Sequence, residues 1–130
     1  HITWGENAKK ILIIEDSPVA GEILKDVFEG EGYSVVLVEN GELGLAKVGD
    51  DPPHLVITDT LLPGINGFEV CRKIRETMDS TAIKVIIVTG SVDAVDAVEA
   101  KKMGADDYCV KTSDFSNLIQ AVGDLIWRFN

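Results

Sequence analysis

Short apolar runs alternate with stretches of helical periodicity five times along this chain, and that alternation limits the folds open to it more than any other feature. Ile11-Leu12-Ile13-Ile14, Val35-Val36-Leu37-Val38 and Val85-Ile86-Ile87-Val88 are unbroken rather than alternating, as strands buried on both faces are. Leu55 to Thr58 and Tyr108-Cys109-Val110 supply two more strands, and the strand from Lys10 runs to acids at Glu15. Between them lie helix signals. Ser17 followed by Pro18 reads as an N-cap and first turn, and Ala20, Ile23, Leu24, Val27 and Phe28 fall on one helix face before Gly30 and Gly32 end it. Asn40 caps a helix to about Val48, weakened by Gly44 in its middle, and Pro52-Pro53 then breaks the chain. A turn-rich loop with Pro63, Gly64, Asn66 and Gly67 leads into a helix from Phe68 to Thr77. Another runs from Asp93 to Met103 and stops at Gly104, and the last spans Phe115 to Trp127 with Leu118, Ile119, Val122, Leu125, Ile126 and Phe129 on one face.

Strands and helices in strict alternation imply a parallel sheet covered on both sides. For five such units the expected fold is α/β, a flavodoxin-like doubly wound (βα)5 arrangement with strand order 2-1-3-4-5. At 130 residues the chain fits one domain, with residues 1–8 as an N-terminal extension or tag remnant and 9–130 as the folded unit. The net charge of −10 argues against direct binding to nucleic acid or an anionic membrane, and suits a protein that collects a divalent cation or docks on a basic partner. The apolar runs are far too short to cross a bilayer, so a cytoplasmic location is expected. Cys71 and Cys109, with no metal-ligand spacing, are expected to be buried free thiols.

In a sheet of this topology the ligand crevice lies beyond the carboxyl ends of the strands. The first strand ends in Glu15-Asp16, the third in Asp59 and the fourth in Thr89-Gly90, and the fifth is followed by Lys111. Clustered carboxylates repel one another, and hard oxygen donors on a water-accessible edge suit Mg2+. A carboxylate such as Asp59 can attack phosphorus and form an acyl phosphate, a reaction that needs stabilisation of phosphoryl charge more than it needs a base. Lys111 offers a point charge, Thr89 a hydroxyl donor, and Gly90 leaves the backbone there open.

These segments resemble the response-regulator receiver family over about Lys9 to Phe129. Ile11-Leu12-Ile13-Ile14-Glu15-Asp16-Ser17-Pro18 is similar to that family's opening strand and acidic pair. Asp59, Pro63 and Gly67 fit its D-x-x-x-P-x-x-x-G loop, Val85 to Gly90 its hydroxyl-terminated strand, and Gly104-Ala105-Asp106-Asp107-Tyr108-Cys109-Val110-Lys111 its G-A-D-D-Y-x-x-K segment. The resemblance implies a phosphoacceptor of a two-component phosphorelay, not an enzyme acting on outside substrates. Asp59 would accept the phosphoryl group; Asp16 would ligate Mg2+ directly, Glu15 through water, and Leu61 through its backbone carbonyl. Thr89 and Lys111 would contact the phosphoryl group, and Tyr108 would be an aromatic switch moving with Thr89. The implied partners are a histidine kinase or phosphotransfer protein upstream and an output domain or target protein downstream, with a homodimer possible. The implied output face is formed by the fourth helix, fifth strand and fifth helix, in a single-domain regulator or a piece of a longer one. Trp127 would either anchor a partner there or fold back over the chain end.

One departure from the family pattern is Thr112, which stands where a proline in a cis peptide is usual. A cis bond before a non-proline residue costs roughly 2.5–4 kcal/mol, so the expectation is a trans Lys111–Thr112 bond, or a cis bond held at that cost by its surroundings, and a trans bond has room to shift the lysine and the start of the last helix. Three other readings are disfavoured: a degenerate receiver that works as a constitutive interaction module has only Thr112 in its support, against an intact set of site residues. A phosphatase with an aspartate nucleophile would carry a second acid at Leu61, and a flavin or nucleotide binder would need a phosphate loop where Glu15-Asp16 stand.

Overall fold

The computed structural model describes residues 8–77, 82–90 and 94–127. Strands β1 (Lys10–Ile14), β2 (Ser34–Val38), β3 (Leu55–Asp59), β4 (Lys84–Thr89) and β5 (Asp107–Val110) alternate with helices α1 (Pro18–Gly30), α2 (Gly41–Asp50), α3 (Gly67–Thr77), α4 (Ala94–Lys102) and α5 (Ser116–Leu125). All strand pairs are parallel and the order is β2-β1-β3-β4-β5, the flavodoxin-like topology expected from the sequence. Ala8, assigned above to the extension, is buried just ahead of β1, while residues 1–7 lie outside the described residues.

The unbroken apolar runs follow from the sheet's two covered faces, because successive strand side chains point to opposite sides. Ile11, Ile13, Leu55, Ile57 and Val88 face α1 and α5 through Leu24, Phe28, Leu118 and Val122. Leu12, Ile14, Val56, Val85 and Ile87 face α2, α3 and α4 through Val48, Val70, Ile74 and Ala100. Ser17 and Asn40 cap their helices as expected, accepting from the N–H groups of Ala20 at 3.3 Å and Leu43 at 2.8 Å. Cys71 and Cys109 are buried free thiols, each pushed up to about 11 by burial.

Two local expectations change. Ile23, placed on the buried face of α1, is 46% exposed; Gly21, Leu24 and Phe28 are the buried residues instead. A Cβ on Gly21 would sit 2.9 Å from Leu37, so the glycine lets α1 rotate and lie close against β2. Gly44 has the same use in α2, where a Cβ would come within 2.3 Å of Ile14. The last helix stops at Leu125 because Ile126 is extended, at φ −137° and ψ 138°, which leaves Trp127 beyond the helix and 65% exposed. Asp93, the expected start of α4, and Phe129 lie outside the described residues.

Away from the strand carboxyl ends, Arg75 ties three segments together. Its guanidinium donates to the carbonyls of Gly104 at 3.0 Å and Ile83 at 2.6 Å and to Asp106 at 2.8 Å. Asp106 Oδ2 also accepts from the Val85 N–H at 2.8 Å, so α3, the start of β4 and the approach to β5 share one charged junction. Both partners are mostly shielded, at 20% and 26% side-chain exposure, so losing the arginine takes the countercharge from Asp106 and a donor from two carbonyls. Arg75→Ala is expected to lower the unfolding free energy by about 2–4 kcal/mol, seen in urea as an earlier midpoint with an unchanged slope. An unmoved midpoint would show that water replaces the arginine without loss.

Candidate functional site

Each strand end delivers one part of the site, and the topology brings the parts to one edge. β1 ends beside Glu15 and Asp16, β3 ends at Asp59, β4 ends at Thr89, and Lys111 follows β5. Oxygens of Glu15, Asp16 and Asp59 lie within 4.8 Å of one another. The Lys111 Nζ donates to Asp59 Oδ2 at 2.9 Å and to Glu15 Oε1 at 3.2 Å, reaching across 52 and 96 residues of chain. The Ser17 backbone N–H donates to Glu15 Oε2 at 3.0 Å. Both oxygens of Glu15 are therefore occupied, and Asp16 and Asp59 are the more open acids of the three.

Burial raises the pKa of Glu15, against the opposing hydrogen bond from Ser17 and the charge of Lys111, and the neighbouring Asp59 adds to the rise. Burial works against the charge of Lys111, but its hydrogen bond and attraction to Asp59, joined by Glu15, outweigh it and raise its pKa. Lys111 is thus held as an ammonium between two carboxylates.

The donor set fits a small divalent cation. All three side chains offer hard oxygens at close quarters, and exposed Asp16 leaves a side on which a metal such as Mg2+ keeps its waters. Leu61 lies in the loop after β3 with its side chain turned out to solvent. Gly90 is open, since a Cβ there would meet nothing within 4 Å.

Thr89 is buried at the end of β4, in register with Val110. Tyr108 pairs with Ile87, so strand alternation puts the Tyr108 and Thr89 side chains on the same face of the sheet. The Tyr108 ring packs into the core on the α2–α4 side, and its hydroxyl is buried with no hydrogen-bond partner among the described residues. A buried hydroxyl left without a partner carries a desolvation cost.

Lys111–Thr112 is trans, as expected, since the described residues contain no cis peptide. With that trans bond, Lys111 Nζ still reaches Asp59. Gly67 has a role the sequence motif did not reveal. Its N–H donates to the Thr60 carbonyl at 3.1 Å, and a Cβ on it would lie 2.1 Å from the Asp59 carbonyl oxygen. Only a glycine there lets the loop close against the end of β3. Among the described residues no helix is long and apolar enough to cross a membrane.

Residues 11–123 match the family described as response regulator receiver domain. Protein PilH of Pseudomonas aeruginosa is 35% identical over 117 residues, which cover 90% of this chain and 97% of PilH. Transcriptional regulatory protein BaeR of Escherichia coli O6:H1 is 33% identical over 123 residues, 95% of this chain, and the chain spans 50% of BaeR's own length. The solved structure of response regulator protein TrrA from Thermotoga maritima, in complex with Mg2+ and BeF, superposes with a TM-score of 0.82 at 35% identity, covering 91% of this chain and 99% of TrrA. The matched span runs from the first strand into the last helix and takes in every strand end that builds the acidic edge, so the chain belongs to the response regulator receiver domain family.

Proposed function

We propose that this chain is a phosphoacceptor: Asp59 takes a phosphoryl group from a phosphohistidine of a histidine kinase or phosphotransfer protein, and the modified site resets the α4–β5–α5 surface. The observation that carries the reading is the Lys111 ammonium 2.9 Å from Asp59, beside two further carboxylates. A lysine in that position supplies the charge that phosphoryl transfer needs.

In the reaction an Asp59 carboxylate oxygen forms a bond to phosphorus. The phosphorus–nitrogen bond of the donor breaks, and its electron pair leaves on the imidazole nitrogen, which is protonated. Lys111 neutralises charge on a phosphoryl oxygen while staying tied to Glu15, and Glu15 keeps the ammonium from swinging into solvent. The Thr89 hydroxyl donates to a second oxygen. Glu15, Asp16 and Asp59, with the Leu61 carbonyl, would hold Mg2+, which when bound supplies charge neutralisation between the carboxylates and the phosphoryl group. Movement of Thr89 toward the modified site would free room beside it for Tyr108, whose unpartnered hydroxyl gains from a new setting.

The unit that does this is residues 9–130, with Ala8 packed at its edge, acting in the cytoplasm. Its downstream partner is an output domain or a target protein, and the α4–β5–α5 face or the exposed Trp127 supplies a surface for a homodimer. Binding to nucleic acid or membrane is not part of the proposal, in keeping with the net charge of −10. Leu61 has no proton to give or take, which supports one self-modification over turnover of outside substrates.

Intact-mass measurement after incubation with phosphoramidate and Mg2+ tests the reading. One labile phosphoryl group per chain is expected. Steady release of phosphate from the donor without a modified protein would identify a hydrolase, and no change at all would end the acceptor reading.

A further inference from the structure

The family pattern puts a proline after the lysine, and the ring of a proline stiffens the turn that carries it. Here Thr112 takes that place and the peptide is trans, yet Lys111 holds its contact with Asp59. Something else must restrain the segment between β5 and α5. Its backbone receives little help. The Lys111 N–H donates to the Thr89 carbonyl at 2.8 Å, and the next backbone bond, from Phe115 to the Thr112 carbonyl, is long at 3.3 Å. Phe115 is left-handed, at φ 58°, and gives α5 no side-chain cap.

Asn117, in the first turn of α5, brackets the lysine. Its Nδ2 donates to the Val110 carbonyl at 2.7 Å, and its Oδ1 accepts from the Thr112 hydroxyl at 2.8 Å. Val110 and Thr112 are the two chain neighbours of Lys111. The carbonyl of Val110 can only accept, so the amide nitrogen must face it, and the amide oxygen is left to face the hydroxyl. Both polar ends of one side chain are thus used, one on each side of the lysine. The Thr112 hydroxyl also lies 3.4 Å from Asp114, a poorer acceptor position than Asn117. Asp114 is engaged by the N–H and hydroxyl of Ser116 at 3.1 and 3.0 Å, which fixes the first turn of α5 on which Asn117 rides.

We infer that Asn117 and Thr112 form a positioning pair that holds Lys111 over Asp59, in place of the rigid proline turn this chain lacks. The inference rests on the acceptor reading above and adds to it two residues that do not touch the phosphoryl group. The pair acts by restricting where the lysine backbone goes, so removing either half lowers the fraction of time that Nζ spends at Asp59. Hydrogen bonds at a surface site restrain modestly, and a few-fold effect on rate is the appropriate scale.

The test measures phosphorylation rate with phosphoramidate at saturating Mg2+, by intact mass, for wild type, Asn117→Ala, Thr112→Val, Thr112→Ser and the Asn117→Ala/Thr112→Val double variant. Asn117→Ala and Thr112→Val are each expected to be about three- to tenfold slower. The double variant should be no slower than Asn117→Ala, because the two act as one unit. Thr112→Ser keeps the hydroxyl and should stay within about twofold of wild type. Mg2+ affinity by calorimetry should change less than about twofold, since the pair bonds to none of the three acids directly and reaches them only through Lys111. Wild-type rates in both single variants, multiplying losses in the double variant, or a Thr112→Ser as slow as Thr112→Val would each overturn the inference. Should Asn117→Ala fail to fold, the valine and serine variants of Thr112 decide alone. A wild-type protein that gains no phosphoryl group sinks the acceptor reading and this inference together; a phosphorylated wild type with indifferent variants sinks only the pair.

Discussion

Asp59→Asn is expected to take up no phosphoryl group, and Lys111→Ala to take one up on the order of a hundred- to a thousandfold more slowly than wild type. An amide oxygen in place of the carboxylate has no charge to drive attack on phosphorus and forms no stable acyl phosphate, so the first loss is complete. The second variant keeps the proposed nucleophile but loses the ammonium at 2.9 Å that would meet the phosphoryl charge. It also removes the cation shared by Glu15 and Asp59, and Glu15 is 5% exposed. Burial already raises the pKa of Glu15, and taking away Lys111 raises it further. For an acid whose folded pKa lies above its unfolded one, stability is full below the ordinary value of 4.5 and falls as pH rises through the folded value. Lys111→Ala should therefore lose more stability than wild type between mildly acidic and neutral pH, and added Mg2+ should recover part of it. Intact mass with phosphoramidate, alongside thermal melts at the two pH values with and without Mg2+, checks both halves. An Asp59→Asn protein that still gains a phosphoryl group would move the acceptor elsewhere.

The features legible in the sequence are those set by local pattern. Unbroken apolar runs announce strands buried on both faces, and the acids and lysine at their ends announce a polar edge, because topology alone carries strand ends to one place. What depended on how elements lie against each other was not legible. Ile23 has the right spacing for the buried face of α1, but Gly21 lets the helix roll against Leu37 and turns Ile23 outward. Helical periodicity continues through Ile126 and Phe129, yet the chain leaves the helix at Ile126, since periodicity records which residues are apolar and not where the backbone bends. Nothing in the sequence marks Arg75; the carbonyls of Gly104 and Ile83 and the carboxylate of Asp106 that it binds come from other segments. Thr112 stands out in the sequence as a departure, but its remedy in Asn117 requires knowing that α5 begins close enough to reach back to Val110.

Gly67→Ala should damage both stability and phosphoryl uptake, although it adds a single methyl group outside the charged site. A Cβ at this position would sit 2.1 Å from the Asp59 carbonyl oxygen and 3.3 Å from the Thr58 hydroxyl oxygen. The first contact is with backbone, which has no rotamer through which to escape. Either the end of β3 retreats or the first turn of α3 does, and the Gly67 N–H bond to the Thr60 carbonyl is stretched in both cases. Overpacking of this kind costs about 1–3 kcal/mol of stability. Retreat of β3 carries Asp59 away from Lys111 and Asp16, and a displacement of about 1 Å at a reacting group can slow a reaction about a hundredfold, so a ten- to hundredfold slower uptake is expected. Gly49→Ala is the matched control, because a Cβ there meets nothing within 4 Å inside α2, and it should hold or slightly raise stability without touching the rate. Urea denaturation and phosphoramidate kinetics on the two variants separate a steric effect at the end of β3 from a general effect of replacing glycine. If Gly67→Ala unfolds and reacts as wild type does, the β3 end yields freely, and the close approach of Gly67 to the Asp59 carbonyl does not fix the acceptor's position.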